Sequence, residues 1–543
     1  ILRFLVSFRE DLLPEILSYP FWNISRESVW KISLDSYNSG NPWITCMKKE
    51  VPQIVDFLLD LGIRAKSEPA ESIIDIIIGT KEGTIKSPFK EYYFSKEKFK
   101  KERAEYLYLL SSLRSFLRAL KEHKEGKMIK ITDVVEFVDL CEKNKIFISD
   151  KGSYPTFKDS VSLLTSHGAK GMEFDTVFII NCQNETWNNN RGRRSKISFP
   201  SNLSLERPGE NTDDKLRLFY VALTRAKSSI FLLAHEEDEK GKRNEPLPFV
   251  SSIDVEDSSF DVDFFGLEEK RSFFIFNRKE KELLYPLLEK YKLSPTGFCN
   301  FLDVADGGPQ KFLEDVILRF PKKKAGPLSF GTAMHAVIAD IYMKIKRGEK
   351  FPKEKEVFSL LKSYLLRERL SEDDFKKYLK KGEKALSIYL QKRKNSFHES
   401  HQIEKSFKDS PLGITGKVDK LVIEEEGAKI FDFKTGKVLR DWKGRDDYEK
   451  RKIWRYKKQL LFYKILLETS ENISVNEGVV EFLEPYKEDI VSLSLFFNEE
   501  EVEHTKLLIE KVGKMIKEGN FPSTDGYEKN YKGILKMESD ILL

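Results

Sequence analysis

Apolar positions in the first 150 residues recur at helical spacing. Leu12, Leu13, Ile16 and Leu17 share one face, as do Ile54, Phe57, Leu58 and Leu61. Tyr106, Leu109, Leu110, Leu113, Phe116 and Leu120 continue the pattern, with Lys and Arg between them. Such spacing predicts a helical bundle with solvated charged faces. From about residue 158 the period changes. Val161–Thr165 and Thr176–Ile180 are short β-branched runs of the kind buried in parallel sheets. The stretch 183–212, rich in Asn, Arg, Ser, Gly and Pro, reads as a long loop. A helix from Asp214 to Lys227 then leads into a strand at Ser229–Leu233.

The acidic, Ser-rich stretch 236–262 is the best candidate boundary. A helical pattern follows at Lys279–Tyr291, where Pro286 is expected to kink or divide it. The segment 321–327 reads as a linker, and a helix is expected to begin near Ser329, with further helices to about 395. Ile414–Ile423 and Lys429–Lys434 read as strands, and helices are expected at 447–468 and 498–518. No internal repeat is visible. The fold class is α/β in four segments: 1–155, 156–262, 263–292 and 293–543.

Composition narrows the class. A third of the 543 residues are charged, yet 93 Lys+Arg nearly cancel 88 Asp+Glu, leaving a net charge of +5. This excludes a histone-like tail and a disordered acidic chain, but leaves room for a local basic stripe. Cys46, Cys141, Cys182 and Cys299 stand far apart with no CxxC pair. A disulfide framework and a zinc ribbon are thereby excluded, and a reducing cytoplasm is expected. No apolar run approaches a membrane span and no signal peptide opens the chain, so no membrane partner is expected. The first residue is Ile1, as expected for a piece of something longer.

Two sequence blocks carry the chemistry. The first is LLTSHGAKGMEFDTVFII at 163–180 with RLFYVALTRAK at 217–227. It resembles motifs V and VI of superfamily 1 helicases of the UvrD/RecB type, which lie in the second RecA-like domain. The resemblance implies that Arg225 is the arginine finger on an ATP γ-phosphate and that Glu173 lies near the nucleotide ribose. Gly171 shares that loop, and Thr165 and His167 would lie on the single-stranded DNA track. An arginine fork opposite a γ-phosphate neutralises charge that builds during transfer. No G-x-x-x-x-G-K-[ST] phosphate loop occurs, and the nearest look-alike, Gly79 to Ser87, has the wrong spacing. Residues 1–155 resemble the helical accessory (2B) insertion that precedes motif V, with YPFWNIS at 19–25 as its signature. The chain is therefore expected to start downstream of an ATP-binding domain and not to hydrolyse ATP alone; ATP would be a cofactor of the full-length protein.

The second block comprises GTAMH (331–335), GKVD (416–419), DFKTGK (432–437) and QLLFY (459–463). Side chains alternate along a strand, so Asp432 and Lys434 share one face while Phe431 and Phe433 pack on the other. Asp419 comes alongside after a hairpin through Glu424–Gly427. His335 borders the apolar stripe Met334, Val337, Ile338 and Ile341. Two carboxylates and an imidazole suit Mg²⁺ or Mn²⁺. The order of these pieces resembles the RecB-type branch of the PD-(D/E)XK nucleases, over roughly residues 293–525. By that resemblance His335, Asp419, Asp432 and the Phe433 carbonyl hold the metal, and Lys434 orients or deprotonates a water. Gln459 and Tyr463, one helical turn apart, would contact DNA or brace Lys434. Glu404, ahead of the first core strand, would support the site or hold a second metal.

Many such relatives hold an iron–sulfur cluster through a C-P-x-x-F element. Here that element reads Gly308-Pro309-Gln310-Lys311-Phe312, with no Cys after Cys299, so no cluster is expected. Basic residues from Lys434 to Lys458, interleaved with Trp442, Trp454 and Tyr456, suit a single nucleic-acid strand. The whole reads as the C-terminal portion of an AddA/RecB-like helicase–nuclease acting on single-stranded and duplex DNA ends in break repair. Its expected partner is a second helicase/nuclease subunit. An AddB-like non-motor subunit using the helicase half as a DNA-binding scaffold, and a stand-alone exonuclease, are the alternatives.

Overall fold

The computed structural model describes residues 1–81, 85–124, 128–148, 161–187, 212–235, 243, 245, 247–250, 276–322, 326–368, 370–408, 411–425 and 427–543. They fall into two compact units, 1–151 with 269–543, and 152–268. Among the described residues no helix is long and apolar enough to cross a membrane. Most of the loop expected at 183–212, most of the boundary at 236–262 and part of the linker at 321–327 lie outside the described residues.

In the smaller unit, β1 (Phe174–Ile179) pairs in parallel with β2 (Ala226–Leu232). The helix Thr212–Leu223 packs on both strands and buries Phe219 and Ala222. Three expectations change here. The helix stops at Leu223, because the strand begins at Ala226 and takes Lys227 with it. That places Arg225 in the turn between them. Residues 161–165 form no strand; Val161 is 99% exposed and Leu163 90%, so these apolar side chains find no core.

In the larger unit, five strands run β3 (Gln402–Phe407), β4 (Gly416–Glu424), β5 (Gly427–Lys434), β6 (Val475–Phe482) and β7 (Ser492–Phe496), in that order across the sheet. Only β5 and β6 are parallel. Their crossover is the helix Asp447–Ser470, started by the Asp446 carboxylate accepting from the Glu449 amide at 2.7 Å. Antiparallel neighbours need only short turns, whereas a parallel pair needs this long excursion.

Helices cover both faces. Gly326–Lys346, Glu354–Arg367 and Glu372–Arg393 pack together over Phe433, with Phe431 and Ile403 at the margin of the same core. Asp447–Ser470 covers the other face, backed by Pro295–Leu302, Glu499–Lys517 and Tyr531–Leu542. Strands β3, β6 and β7 and the last helix were not anticipated from sequence.

The N-terminal helices share a hydrophobic core with the helices and strands of this C-terminal layer. Ser25 caps the helix Arg26–Ser39, whose Trp30 meets Phe276 edge-on, and the Ser33 hydroxyl donates to the Leu318 carbonyl at 2.6 Å. The helix Arg278–Lys290, expected from sequence at Lys279–Tyr291 with a kink or break at Pro286, is one continuous helix with Pro286 inside. It packs between Arg26–Ser39 and Glu499–Lys517, and Arg26 reaches its buried Glu280 at 2.9 Å.

All four cysteines are free and buried. Burial pushes the Cys299 thiol up to about 11, and raises Cys182 as well. A thiol well below its pKa carries almost no nucleophilic thiolate. Native protein at neutral pH is therefore expected to resist a water-soluble thiol reagent that labels all four sites in denaturant. Rapid labelling of even one native cysteine would contradict that packing.

Candidate active site

The site forms where two strands part. The β3–β4 ladder keeps one register from Gln402↔Leu421 to Phe407↔Gly416, and the rung between Glu404 and Asp419 is the one not formed. The β4–β5 ladder ends at Lys420↔Phe431, one rung before Asp419 would meet Asp432. Glu404, Asp419 and Asp432 thus stand in one row across three strands. The opening lets Asp419 turn its Oδ2 to the main-chain N–H of Phe433, 2.7 Å away.

The other layer supplies His335. Its Nδ1 lies 3.4 Å from Asp419 Oδ1, and its ring stands edge-on to Phe433 at 6.1 Å. Gly331 permits this approach, since a Cβ there would sit 3.0 Å from Thr435 Oγ1. The GTAMH segment therefore places its small residue against the strand end, Met334 in the core and His335 over the site.

Donor atoms of His335, Glu404 and Asp419 all lie within 4.8 Å of one another. Glu404 is inside β3, not ahead of it as expected, and its backbone is left-handed at φ 55°. That conformation costs a Glu on the order of 1–2 kcal/mol, which surrounding structure must offset. Its carboxylate also meets the Lys417 ammonium. The expected ligand Asp432 sits beside this trio rather than within it. The Phe433 side chain is buried in the core and its amide is committed to Asp419.

Asp432 is 4% exposed. Lys434 Nζ lies 2.7 Å from its Oδ2, off the axis of a hydrogen bond, so the attraction is ionic. The directed bond from Lys434 goes to Gln459 Oε1 at 2.9 Å, and the ammonium also rests 5.2 Å from the Tyr456 ring centre. Burial holds the Asp432 carboxyl above its usual range, with Lys434 pulling the other way. Burial works against charge on His335 and Asp419 too, but their mutual attraction outweighs it. His335 is raised and Asp419 lowered. Tyr463 is half-buried one turn beyond Gln459, and burial beside the Asp432 and Asp419 charges raises its hydroxyl. The structure brings His335, Glu404 and Asp419 together and sets Asp432, Lys434 and Gln459 beside them, and the close seat of Glu404 follows from the register of β3.

The basic stretch is largely committed within the protein. Arg451 and Arg455 meet buried Asp303 at 3.0 and 3.8 Å, Lys458 meets buried Glu538 at 3.0 Å, and Lys437 meets Glu449 at 2.8 Å. Trp454 and Tyr456 are buried, and Trp442 donates to the Ser494 carbonyl. Most of this segment is a packed helix face, because the same spacing that suits a nucleic-acid strand also suits a core with buried ion pairs.

In the smaller unit, Arg225 gives N–H groups to the Val221 and Met172 carbonyls and to Thr224 Oγ1, at 2.9, 3.0 and 3.0 Å. It clamps the helix end to the loop preceding β1. Glu173 pairs with Lys227 at 3.6 Å, Thr165 Oγ1 accepts from the Gly168 amide, and Gly171 takes φ 82° at the turn. His167 lies in that same turn region.

Residues 59–237 match the UvrD-like helicase C-terminal domain, and residues 305–528 match the PD-(D/E)XK nuclease superfamily. A probable DNA helicase II homolog of Rickettsia felis is 30% identical over 132 residues, covering 24% of this chain and 16% of that protein. One component of an ATP-dependent helicase/nuclease from Staphylococcus saprophyticus is 28% identical over 182 residues, covering 30% of this chain and 14% of its own. The chain thus spans less than a fifth of the length of these relatives. A solved structure from Eubacterium rectale, assigned as an exonuclease, aligns at 14% identity and a TM-score of 0.31, covering 46% of this chain and 90% of that one.

Proposed function

We propose that this chain, a UvrD-like helicase C-terminal domain fused to a PD-(D/E)XK nuclease domain, is the C-terminal portion of an ATP-dependent helicase–nuclease that processes DNA ends for break repair. The observation that carries the nuclease reading is the convergence of His335, Glu404 and Asp419 within 4.8 Å, beside Asp432, Lys434 and Gln459.

The donor set fits a hard divalent cation. It offers carboxylate oxygens and one imidazole, plus a buried Asp432 oxygen with no directed hydrogen bond. Mg²⁺ or Mn²⁺ held there by His335, Asp419, Glu404 and Asp432, with the Phe433 carbonyl, would polarise a phosphate oxygen and lower the pKa of bound water. Lys434, fixed by Gln459 Oε1, would orient the attacking water as an ammonium donor, and the water's proton would pass to the Asp432 carboxylate. Tyr463 and Gln459 hold this face dry and rigid.

In the smaller unit Arg225 is read as the γ-phosphate sensor, with Gly171 and Glu173 on the nucleotide side. Thr165 and His167 are read as single-strand contacts. The partner is read as a second helicase/nuclease subunit.

The 543-residue chain incubated with labelled single and double strands is expected to cut in Mg²⁺ or Mn²⁺ and to stop on chelation. Glu404→Gln is expected to raise the metal concentration for half-maximal cutting by about tenfold or more. Cutting that persists in excess chelator would overturn the metal-dependent reading.

A further inference from the structure

A cleft of about 570 Å³ opens just past the end of β5. Its floor begins at Gly436, two residues beyond Lys434, so it lies within about 7 Å of chain from the cleavage centre. Gly436 turns there at φ 103°, which few side chains tolerate. The next residues are anchored, since Leu439 is 3% exposed in the core and the Lys437 carbonyl accepts from Lys452 at 2.7 Å. The cleft is a fixed shape.

Its charges are unevenly committed. Glu484 accepts from the Gly436 amide and pairs with Lys381 at 2.7 Å, and Glu449 pairs with Lys437 and accepts from the Arg445 amide. The third carboxylate of the lining, the exposed Asp441, accepts from the Lys443 amide at 3.0 Å, so all three are answered from within. The exposed Arg440 and Arg445 guanidiniums meet no carboxylate among the described residues. The Arg440 guanidinium lies instead over the ring of Tyr486, 5.7 Å from its centre, and Tyr486 is an exposed aromatic of the same cleft lining. Guanidiniums without an ion-paired carboxylate can bind phosphate bidentately, and an exposed ring is a platform for an unpaired base.

We infer that this cleft is a nucleotide subsite flanking the cleavage centre, taking one unpaired base on Tyr486 and the adjoining phosphate on Arg440 and Arg445. It rests on the nuclease reading above and adds a substrate class to it. A paired base cannot leave its stack to reach the ring without cost, so the site selects single strands.

The test uses the full chain and a fluorescent oligothymidylate in chelator, read by anisotropy, with a blunt duplex hairpin as comparison. Tyr486→Ala is expected to weaken single-strand binding about tenfold. Tyr486→Phe should bind like the parent, and hairpin affinity should change less than about twofold. Arg440→Gln should flatten the salt dependence of single-strand binding by about one phosphate contact. Circular dichroism confirms that each variant is folded. Single-strand affinity unmoved by Tyr486→Ala overturns the subsite, as does an equal loss on the hairpin or a parent that binds neither probe. A parent that binds with this Tyr486 dependence but cuts nothing when metal is restored overturns the nuclease reading and leaves the subsite standing.

Discussion

Replacing Lys434 by alanine is expected to lower phosphodiester cleavage by about 10³-fold while leaving single-strand affinity within about threefold. Lys434 is the only ammonium within ion-pair reach of Asp432 among the described residues, and its place is set by the bond to Gln459. Without it, burial and the Asp419 charge act on Asp432 against His335 only, and its carboxyl moves further above the usual range. The attacking water then loses both its orienting cation and the carboxylate able to receive its proton. Affinity should survive, because the Lys434 side chain is four-fifths buried and its ammonium is taken up by Asp432 and Gln459. Metal-loaded single-turnover assays separate the two effects, and undiminished cutting by the alanine variant would remove Lys434 from the chemistry.

Truncating Phe462 to alanine is expected to destabilise the larger unit by about 3–5 kcal/mol, the usual cost of emptying a fully packed aromatic site. Phe462 is fully buried in the helix that carries Gln459 and Tyr463, and its ring packs on Phe298 with centroids 5.7 Å apart. Asp447–Ser470 touches the sheet below and the Pro295–Leu302 helix above, so neither side can close the void freely. Phe462→Leu fills most of the space and should cost less than about 1.5 kcal/mol. Urea midpoints followed by circular dichroism check both values. Equal midpoints for Phe462→Ala and the parent would show that this contact is not part of the core.

The strands bearing Asp419 and Asp432, and the helices bearing His335 and Gln459, were legible because GTAMH, GKVD, DFKTGK and QLLFY stand in order, with a turn signal at Glu424–Gly427 between the two strands. The strand β3 was not, since Gln402–Phe407 mixes charged and apolar residues, and its membership follows from pairing with β4. For the same reason Glu404 was read as lying outside the sheet, when it is Asp419's neighbour across an unformed rung. Trp454 and Tyr456 misled in the opposite direction. Aromatics among cations look like a nucleic-acid surface until Asp303 and Glu538, far away in sequence, are seen to neutralise those cations. Residues 161–165 have strand composition, but composition does not supply a neighbouring strand.

The core shared by the N-terminal helices and the C-terminal layer has a practical consequence for anyone dividing this chain. A cut at residue 291, the natural place to isolate a nuclease by sequence, removes the helix that buries Leu284 at 1% and Leu288 at 0% exposure. It also strips Trp43 from Phe320 and Ser33 from the Leu318 carbonyl. The excised fragment would present a broad greasy surface to water, the usual cause of poor solubility and self-association. Inactivity of such a fragment would then report aggregation, and a soluble, active truncation is better sought with residues 1–151 retained.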